Sequence, residues 1–279
     1  MSKKVLVPLA NGFEEIEFVS IVDTLRRAQI EVLIAGVSDE GSVSGAGSAK
    51  SSGASGANGL KTNSAGECGA GASASSASRS YTGAHGIAIS ADTMLDSLDS
   101  SALAGFDGVA LAGGWQGMLN LKASQKLREI LCEFKAEGKL VSAICASPIV
   151  LDAAGVLGGK FACYPSCEKF AYEDTSADSS EGSDSDSSEG VDSSAGVSAS
   201  ARKSPSDTSK NTEKPLKGAY QPKASVVREG NLITAAGPAT GVLFALEIIA
   251  YLLGQAQSQS IASQMLIPYL NHSAEILRS

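Results

Sequence analysis

Residues 139–148, KLVSAICASP, restrict the fold of this chain more than any other stretch. Their apolar run is typical of a buried parallel strand, and Pro148 after two small residues favours the first turn of a helix. Cys145 therefore lies at a predicted strand-to-helix turn, at the sheet edge where open α/β folds bind their ligands. The helix dipole at such a turn favours a thiolate. The alternative interpretation is a free cysteine that only fills the core.

The rest of the chain alternates predicted strands and helices. Periodicity predicts strands at 4–9, 30–36, 108–112 and 160–164, a strand pair within 81–91 and a hairpin within 224–235. Helices are predicted at 14–27, 124–137, 149–157 and 239–253, with a helix start at 96–101 and further helical pieces within 261–277. This order is typical of an α/β fold, a three-layer sandwich whose mostly parallel sheet has helices on both faces. Its opening strand, helix and strand favour a right-handed parallel crossover.

Two stretches contain almost no large apolar side chains. Residues 39–80 are rich in Ser, Gly and Ala, and residues 174–216 are rich in Ser and acidic side chains. Because such compositions cannot offset the entropy of ordering the chain, both stretches are predicted to be disordered insertions. The remaining residues suffice for one core, so 1–279 is predicted to be a single domain.

Charge and cysteine content narrow the function classes. A formal net charge of -8 and a pI of about 4.9 argue against direct nucleic-acid binding. Five cysteines, an odd number without disulfide-like spacing, indicate a reducing compartment. Since Pro8 and Asn11 interrupt the first apolar segment, neither a signal peptide nor a membrane span is expected, and we expect a cytoplasmic protein. Cys163 and Cys167 could form half of a metal site, but no other ligands stand at zinc-like spacing, so no metal is expected. No cofactor is expected either.

Three glutamates follow the first predicted strand, at the sheet edge where Cys145 is expected: Glu14, Glu15 and Glu17. On a helical wheel Glu14 and Glu17 lie on or beside the apolar stripe, whereas Glu15 points away. The pattern does not choose between the first two as a partner of the thiol. All three acids have the alternative role of compensating the positive end of the helix dipole.

Two glycine-containing turns and two histidines are the remaining candidates. The Gly-Gly pair at 113–114 follows a predicted strand, and its missing side chains would let backbone N–H groups approach an oxyanion. Its alternative role is an ordinary strand-ending turn. The Gly-Pro pair at 237–238 is interpreted as a helix boundary. Neither His85 nor His272 occupies a strand end next to Cys145 in the sequence, so neither is given a catalytic role.

Four segments together resemble the ThiJ/PfpI superfamily, in the branch of parkinsonism-associated deglycases and glyoxalase III-like proteins. They are KVLVPLANGFEEIE, GVALAGGWQGM, KLVSAICASPIVL and ITAAGPATGVLFALEII. In this order they span nearly all of the chain outside the two insertions. The resemblance implies a flavodoxin-like fold with its cysteine at a nucleophile elbow. By position it also implies the site residues: the nucleophile Cys145, its acid partner Glu17 and the oxyanion residues Gly114 and Ala146. The helical wheel and the Gly-Gly turn add Glu14 and Gly113 as accessory residues.

The chain departs from the family pattern at four positions. Tyr164 stands where some members have a histidine, which argues against the Cys–His pair of the protease-like branches. Ala112 replaces a proline that often precedes Gly-Gly, and Ala236 replaces an arginine that precedes Gly-Pro in some members. His85 takes the position of an arginine that the resemblance places at a homodimer interface. The resemblance therefore implies a homodimer.

A carboxylic acid beside the cysteine has a clear chemical use. If burial raises the pKa of Glu17, the neutral acid can donate a hydrogen bond to sulfur and favour a thiolate with a pKa of roughly 3.5 to 7.5. The resemblance implies that Cys145 attacks a 2-oxoaldehyde such as methylglyoxal or glyoxal, or its early adduct with an amine or thiol, and that a 2-hydroxy acid is released. A redox-responsive chaperone or stress sensor is the alternative function, and a PfpI-type peptidase or amidase is a weaker one.

Overall fold

The computed structural model describes residues 2–38, 79–170, 214–267 and 276–278. Most of the two predicted insertions, 39–80 and 174–216, lies outside these residues. At their edges the structure corrects the predicted boundaries, because Ser80 begins a strand and Leu216 is buried in the hydrophobic core. A deletion of the second stretch should therefore end before Leu216.

A central eight-stranded sheet organises the fold. The described strands are, in chain order, β1 (Lys4–Leu9), β2 (Glu31–Gly36), β3 (Ser80–Thr82), β4 (Ala88–Ser90), β5 (Thr93–Met94), β6 (Gly108–Leu111), β7 (Leu140–Ile144), β8 (Lys160–Phe161), β9 (Ala219–Tyr220), β10 (Val226–Glu229), β11 (Leu232–Ala235) and β12 (Ile276–Arg278). The central sheet has the order β12-β10-β11-β7-β6-β1-β2-β5. All of its neighbouring pairs are parallel except β10 and β11, which form the predicted antiparallel hairpin. Strands β3 and β4 form one small sheet, and β8 and β9 form another.

Helices cover both faces of this sheet. The described α-helices are α1 (Glu15–Arg27), α2 (Ser100–Ala104), α3 (Trp115–Ala123), α4 (Gln125–Ala136), α5 (Pro148–Ala153), α6 (Gly241–Leu253) and α7 (Gln255–Gln264). Leu6 of β1 packs in a core with residues of α3, α4 and α5, whereas Val5 and Val7 pack in a second core with residues of α1 and α6. The alternation of side chains along a strand thus supplies both cores, and the three-layer α/β prediction is confirmed. Within the described ranges, no helix has the length and apolar character needed to cross a membrane.

Helix α1 illustrates why the long elements agree with the sequence pattern. Its apolar side chains at helical spacing, Phe18, Ile21 and Leu25, are all buried. The Glu14 side chain caps the helix by accepting the backbone N–H of Glu17 at 2.7 Å. Acidic residues occupy its first turn, where they suit the helix dipole. The helix therefore presents residues 14–17 at the carboxyl end of β1.

Four short elements differ from the prediction. Helix α3 is not predicted, because Gly117 and polar residues interrupt its apolar pattern. The predicted strand at 160–164 shortens to β8 and lies outside the central sheet. The predicted helix at 149–157 ends at Ala153. The helical interpretation of 261–277 is wrong at its end, because the backbone of β12 pairs with β10.

Candidate active site

Cys145 lies between β7 and α5, with a backbone φ of 64° and a side chain that is almost buried. Its N–H donates to the carbonyl oxygen of Ala235 at 3.0 Å, and its carbonyl oxygen accepts the N–H of Tyr164 at 2.8 Å. A non-glycine residue with positive φ is uncommon and persists where surrounding contacts impose it. Here the neighbouring β11 and the segment after β8 hold the turn, as expected for a side chain placed by its scaffold.

Glu17 is the carboxyl group that meets Cys145. It is 0 % exposed, its side chain hydrogen-bonds the thiol, and its Oε2 accepts the N–H of Gly113 at 2.7 Å. Its Oε1 is buried and has no hydrogen-bond partner among the described residues. A buried carboxylate oxygen without a donor disfavours the ionised form. The side chain of Glu14 instead caps α1, so the structure separates two residues that the helical wheel left equivalent.

The pKa values of the two groups are coupled. Burial raises the pKa of Glu17 from its ordinary 4.5 to about 7, against the hydrogen bond from Gly113, which lowers it. Burial, followed by the charge of Glu17 and the hydrogen bond to it, raises the pKa of the Cys145 thiol above its ordinary value. The expected thiol pKa of roughly 3.5 to 7.5 requires a neutral Glu17. It does not apply while Glu17 is ionised. The groups share one proton after the first ionisation, and its position decides whether sulfur is reactive.

The Gly-Gly turn lets backbone approach this pair. A Cβ at Gly113 would lie 2.6 Å from the Cβ of Cys145 and 2.8 Å from Oε2 of Glu17. Gly114 has a φ of 90°, caps α3, and donates its N–H to the sulfur, as does the N–H of Ala146. Both hydrogen bonds lower the thiol pKa, because they stabilise negative charge on sulfur. The structure thus places Glu17, Gly113, Gly114 and Ala146 around Cys145, whereas the accessory residue Glu14 caps α1.

Residues 3–251 of this chain match the DJ-1/PfpI family. The chain belongs to this family. Protein dj-1beta of Drosophila melanogaster is 28 % identical over 270 residues, which cover 96 % of this chain and 100 % of that protein. The Parkinson disease protein 7 homolog of Danio rerio is 26 % identical over 266 residues, which cover 95 % of this chain and 97 % of that protein.

Solved DJ-1 structures share the fold. The crystal structure of Drosophila melanogaster DJ-1beta is 26 % identical, with a TM-score of 0.61 and coverage of 95 % of this chain and 98 % of that one. The structure of Toxoplasma gondii DJ-1, oxidized, is 27 % identical, with a TM-score of 0.59 and the same coverage values. The likeness therefore extends over nearly the whole length of both chains.

This DJ-1/PfpI protein has a positioning residue that the sequence pattern does not reveal. The Ser147 side chain is fully buried, and its Oγ donates to the carbonyl oxygen of Ala112 at 2.6 Å. This hydrogen bond ties the residue after Ala146 to the strand end before Gly113. A serine directly before a helix-initiating proline would be interpreted as a helix cap, but Ser147 makes no capping hydrogen bond in this family member.

A second cluster at the same edge explains Glu15 and His85. Burial would raise the pKa of Glu15, but hydrogen bonds from the side chain and backbone of His85 lower it below its ordinary value. The His85 Nδ1 lies 2.9 Å from Oε2 of Glu15, and this pairing raises the pKa of the imidazole. One potential metal-ligand atom from each of Glu14, Glu15 and His85 lies within 4.8 Å of the other two, a spacing that could hold a metal ion. The ion pair and the helix cap account for these contacts, so we assign no metal. The other histidine, His272, lies outside the described residues.

We expect Glu17→Gln to flatten the pH dependence of stability. Because the folded-state pKa is raised, the neutral carboxyl contributes stability that is fully present below about pH 4.5 and is lost as the pH rises through about 7. Between these pH values the free energy of unfolding of wild type should fall by at most about 3 kcal/mol. Urea unfolding of wild type and Glu17→Gln between pH 4 and 8 measures it, with Glu31→Gln at an exposed site as control. Identical pH slopes for wild type and Glu17→Gln would contradict the raised pKa.

We expect Gly114→Ala to lower the free energy of unfolding by more than about 3 kcal/mol. The new Cβ would lie 2.3 Å from the carbonyl oxygen of Gly12, so backbone must move. Gly86→Ala is a matched control, because Gly86 has a φ of 89° with nothing within 4 Å of a Cβ. Conformational strain alone should cost about 1 kcal/mol there. Denaturant unfolding of both variants compares the effects, and equal losses would show that close approach at Gly114 is unimportant.

Proposed function

We propose that this protein is a cysteine-dependent deglycase or glyoxalase III-type enzyme. Its substrates are 2-oxoaldehydes such as methylglyoxal and glyoxal, or their early adducts with amines and thiols, and its product is a 2-hydroxy acid. The observation that carries the proposal is the fully buried Glu17, whose pKa of about 7 lets it both donate and accept a proton beside Cys145. The DJ-1/PfpI family includes cysteine-dependent hydrolase-like enzymes.

In the proposed reaction the Cys145 sulfur adds to the aldehyde carbon. The thiolate forms when the shared proton sits on Glu17, and the N–H groups of Gly114 and Ala146 stabilise the charge on sulfur. The carbonyl electrons move to oxygen, which takes a proton and gives a hemithioacetal. In the hemithioacetal the former aldehyde carbon, which still carries its hydrogen, is bonded to the sulfur that Glu17 contacts.

Glu17 then moves a proton between the two substrate carbons. As a carboxylate it removes the proton from the former aldehyde carbon, and the electrons of that C–H bond form an enediol as the neighbouring carbonyl oxygen takes a proton. As an acid it returns a proton to the neighbouring carbon, while the hydroxyl on the sulfur-bearing carbon loses its proton and becomes the thioester carbonyl. The product of this transfer is a thioester of a 2-hydroxy acid on Cys145. Water cleaves the thioester, so that methylglyoxal and one water become lactic acid and the thiol is regenerated. No oxidant or reductant enters this balance.

The test is the conversion of methylglyoxal by the full-length protein in D₂O. We expect lactate carrying deuterium at C2, because a proton held by a carboxyl group exchanges with solvent. Lactate formation by Glu17→Gln at the wild-type rate would exclude Glu17 as proton carrier. Absence of lactate formation, together with unchanged amounts of a glycated amine, would contradict the proposed activity itself.

A second candidate function is redox sensing by the same cysteine. It is favoured by one relative, Toxoplasma gondii DJ-1, whose structure is described as oxidized. Two equivalents of hydrogen peroxide would convert the Cys145 thiol into a sulfinic acid with release of two waters. Intact mass measurement after peroxide treatment tests this function. Modification of Cys132 in preference to Cys145 would argue against it, since Cys132 is merely exposed.

A further inference from the structure

Two half-exposed aromatic side chains lie next to the candidate site. Trp115 is 52 % exposed and Tyr164 is 51 % exposed. The other large hydrophobic side chains that are exposed in the described part of the chain are all aliphatic. Large aromatic rings left in water at two neighbouring positions point to a ligand, because each ring offers a flat face that water solvates poorly.

A closed circuit of contacts joins both residues to Cys145. Gly114 donates its N–H to the sulfur and is followed directly by Trp115. The Trp115 ring packs edge-on against Phe170, with centroids 5.7 Å apart. The backbone then returns to the nucleophile through three hydrogen bonds: Phe170 N–H to Cys167, Cys167 N–H to Tyr164, and Tyr164 N–H to Cys145. Trp115 and Tyr164 therefore belong to one circuit of contacts that passes through Cys145, and we call them the aromatic rim.

The Tyr164 side of the aromatic rim has support from the backbone below it. A Cβ at Gly237 would lie 3.2 Å from Cδ2 of Tyr164, so the ring packs against a position without a side chain. On the opposite side, the contact with Phe170 restrains the indole of Trp115. Both rings are thus held while they keep about half of their surface in solvent. Preorganised rings bind with a small loss of side-chain entropy.

The chemistry of the aromatic rim favours a planar cation. Ring faces attract cations, and guanidinium stacks on them more often than ammonium does, because it is planar and weakly hydrated. The chain carries a formal net charge of -8, which attracts a cation and repels the phosphates of a nucleotide. Of the groups that 2-oxoaldehydes modify, the guanidinium of arginine combines a flat shape with positive charge.

We propose that Trp115 and Tyr164 are specificity residues that favour 2-oxoaldehyde adducts of arginine guanidinium groups over free aldehydes and adducts of lysine. This assignment rests on the proposed function. Guanidinium stacking on the aromatic rim holds the adduct while the sulfur of Cys145 displaces the guanidine nitrogen from the former aldehyde carbon. The released guanidine takes the thiol proton, and the resulting hemithioacetal is the same as that formed from the free aldehyde. A cation–π contact at a half-exposed site corresponds to a preference of about fivefold.

A reactivity assay tests the aromatic rim without requiring turnover. It compares the rate of Cys145 alkylation by an iodoacetamide that carries a guanidinium group with the rate for iodoacetamide itself. We expect Trp115→Leu and Tyr164→Leu each to lower this ratio about fivefold, and Trp115→Phe and Tyr164→Phe to retain most of it, because phenylalanine keeps a ring face. Since Trp115 is the only tryptophan of the chain, its emission should also change with N-acetylargininamide more than with N-acetyllysinamide.

The kinetic assay connects the aromatic rim with the activity. The ratio of kcat/KM for a methylglyoxal–arginine adduct to that for free methylglyoxal should fall about fivefold in Trp115→Leu. An alkylation ratio that Leu variants leave unchanged would overturn the assignment of the aromatic rim, whether or not the protein turns over methylglyoxal. A ratio that falls as expected in a protein without turnover would support guanidinium binding and refute the proposed enzyme function, so the two failures are distinguishable.

Discussion

Cys145→Ser is expected to lower kcat/KM for methylglyoxal by more than about a thousandfold. A serine hydroxyl at this position has no base strong enough to ionise it, whereas the thiol shares its proton with Glu17. Serine differs from cysteine by one atom, so the fold and the positive φ of the turn should persist. Steady-state lactate formation by both proteins measures the effect, with circular dichroism and the Tm to confirm folding.

Cys132→Ser is the matched control for this loss. Cys132 is exposed on α4, where its thiol donates to the carbonyl oxygen of Ala154, and it makes no contact with the site. Its replacement should leave turnover within about twofold, as for a surface substitution. Equal losses in the two variants would show that the assay reports general damage. Retained turnover in Cys145→Ser would remove Cys145 from the mechanism.

Glu17→Leu is expected to lower turnover by about a hundredfold or more and to move the pH profile of Cys145 alkylation upward. Ionised Glu17 raises the thiol pKa, but neutral Glu17 can donate a hydrogen bond to a thiolate, and leucine removes this donor together with the proton carrier. In wild type the rate of alkylation should rise near pH 7, where the pair loses its first proton. The measurement is the second-order rate of iodoacetamide labelling, resolved by peptide mass spectrometry.

Burial limits the alkylation of two other thiols, those of Cys163 and Cys167, by iodoacetamide. Burial raises the pKa of Cys167 to about 11 and also raises the pKa of Cys163 above its ordinary value. Cys132 is the exposed competitor among the described residues. Faster labelling of Cys132 than of Cys145 at pH 7 would contradict activation of Cys145 by its partner.

Three further variants separate the roles of the acids. Glu17→Gln keeps an acceptor for the Gly113 N–H but cannot carry a proton, so labelling should persist while turnover is lost. Glu14→Gln perturbs the cap of α1 and should cost about 1 kcal/mol of stability with turnover within tenfold. Glu15→Gln breaks the pair with His85 and should affect turnover little. Loss of activity in Glu14→Gln with full activity in Glu17→Leu would transfer the assignment to Glu14.

Several parts of the fold and site were predictable because they depend on local pattern. The buried stripes of α1 and α4 repeat at helical spacing over three or more turns, which specifies both the helix and its buried face. An apolar strand is followed by Cys145 and then by Pro148, and this order predicts a turn at the carboxyl edge of the sheet. A continuous apolar run of this kind is typical of a buried parallel strand. Family resemblance added Glu17, Gly114 and Ala146 by position.

Tertiary structure alone decided the features that depend on distant pairing. β5 and β12 are too short to show periodicity, and their strand conformation comes from hydrogen bonds to β2 and β10. Periodicity alone left Glu14 and Glu17 equivalent and the family resemblance selected Glu17, but the physical reason needs the fold, because a helical wheel does not show that Glu17 meets Gly113 while Glu14 caps α1. Likewise, Trp115 and Tyr164 are linked to Cys145 by one circuit of contacts only because the turn after β8 folds back onto Cys145 and α3. Local sequence thus determined the long elements and the turn that carries Cys145, whereas the pKa of Glu17 and the surroundings of the thiol arise from burial, which only the packed chain creates.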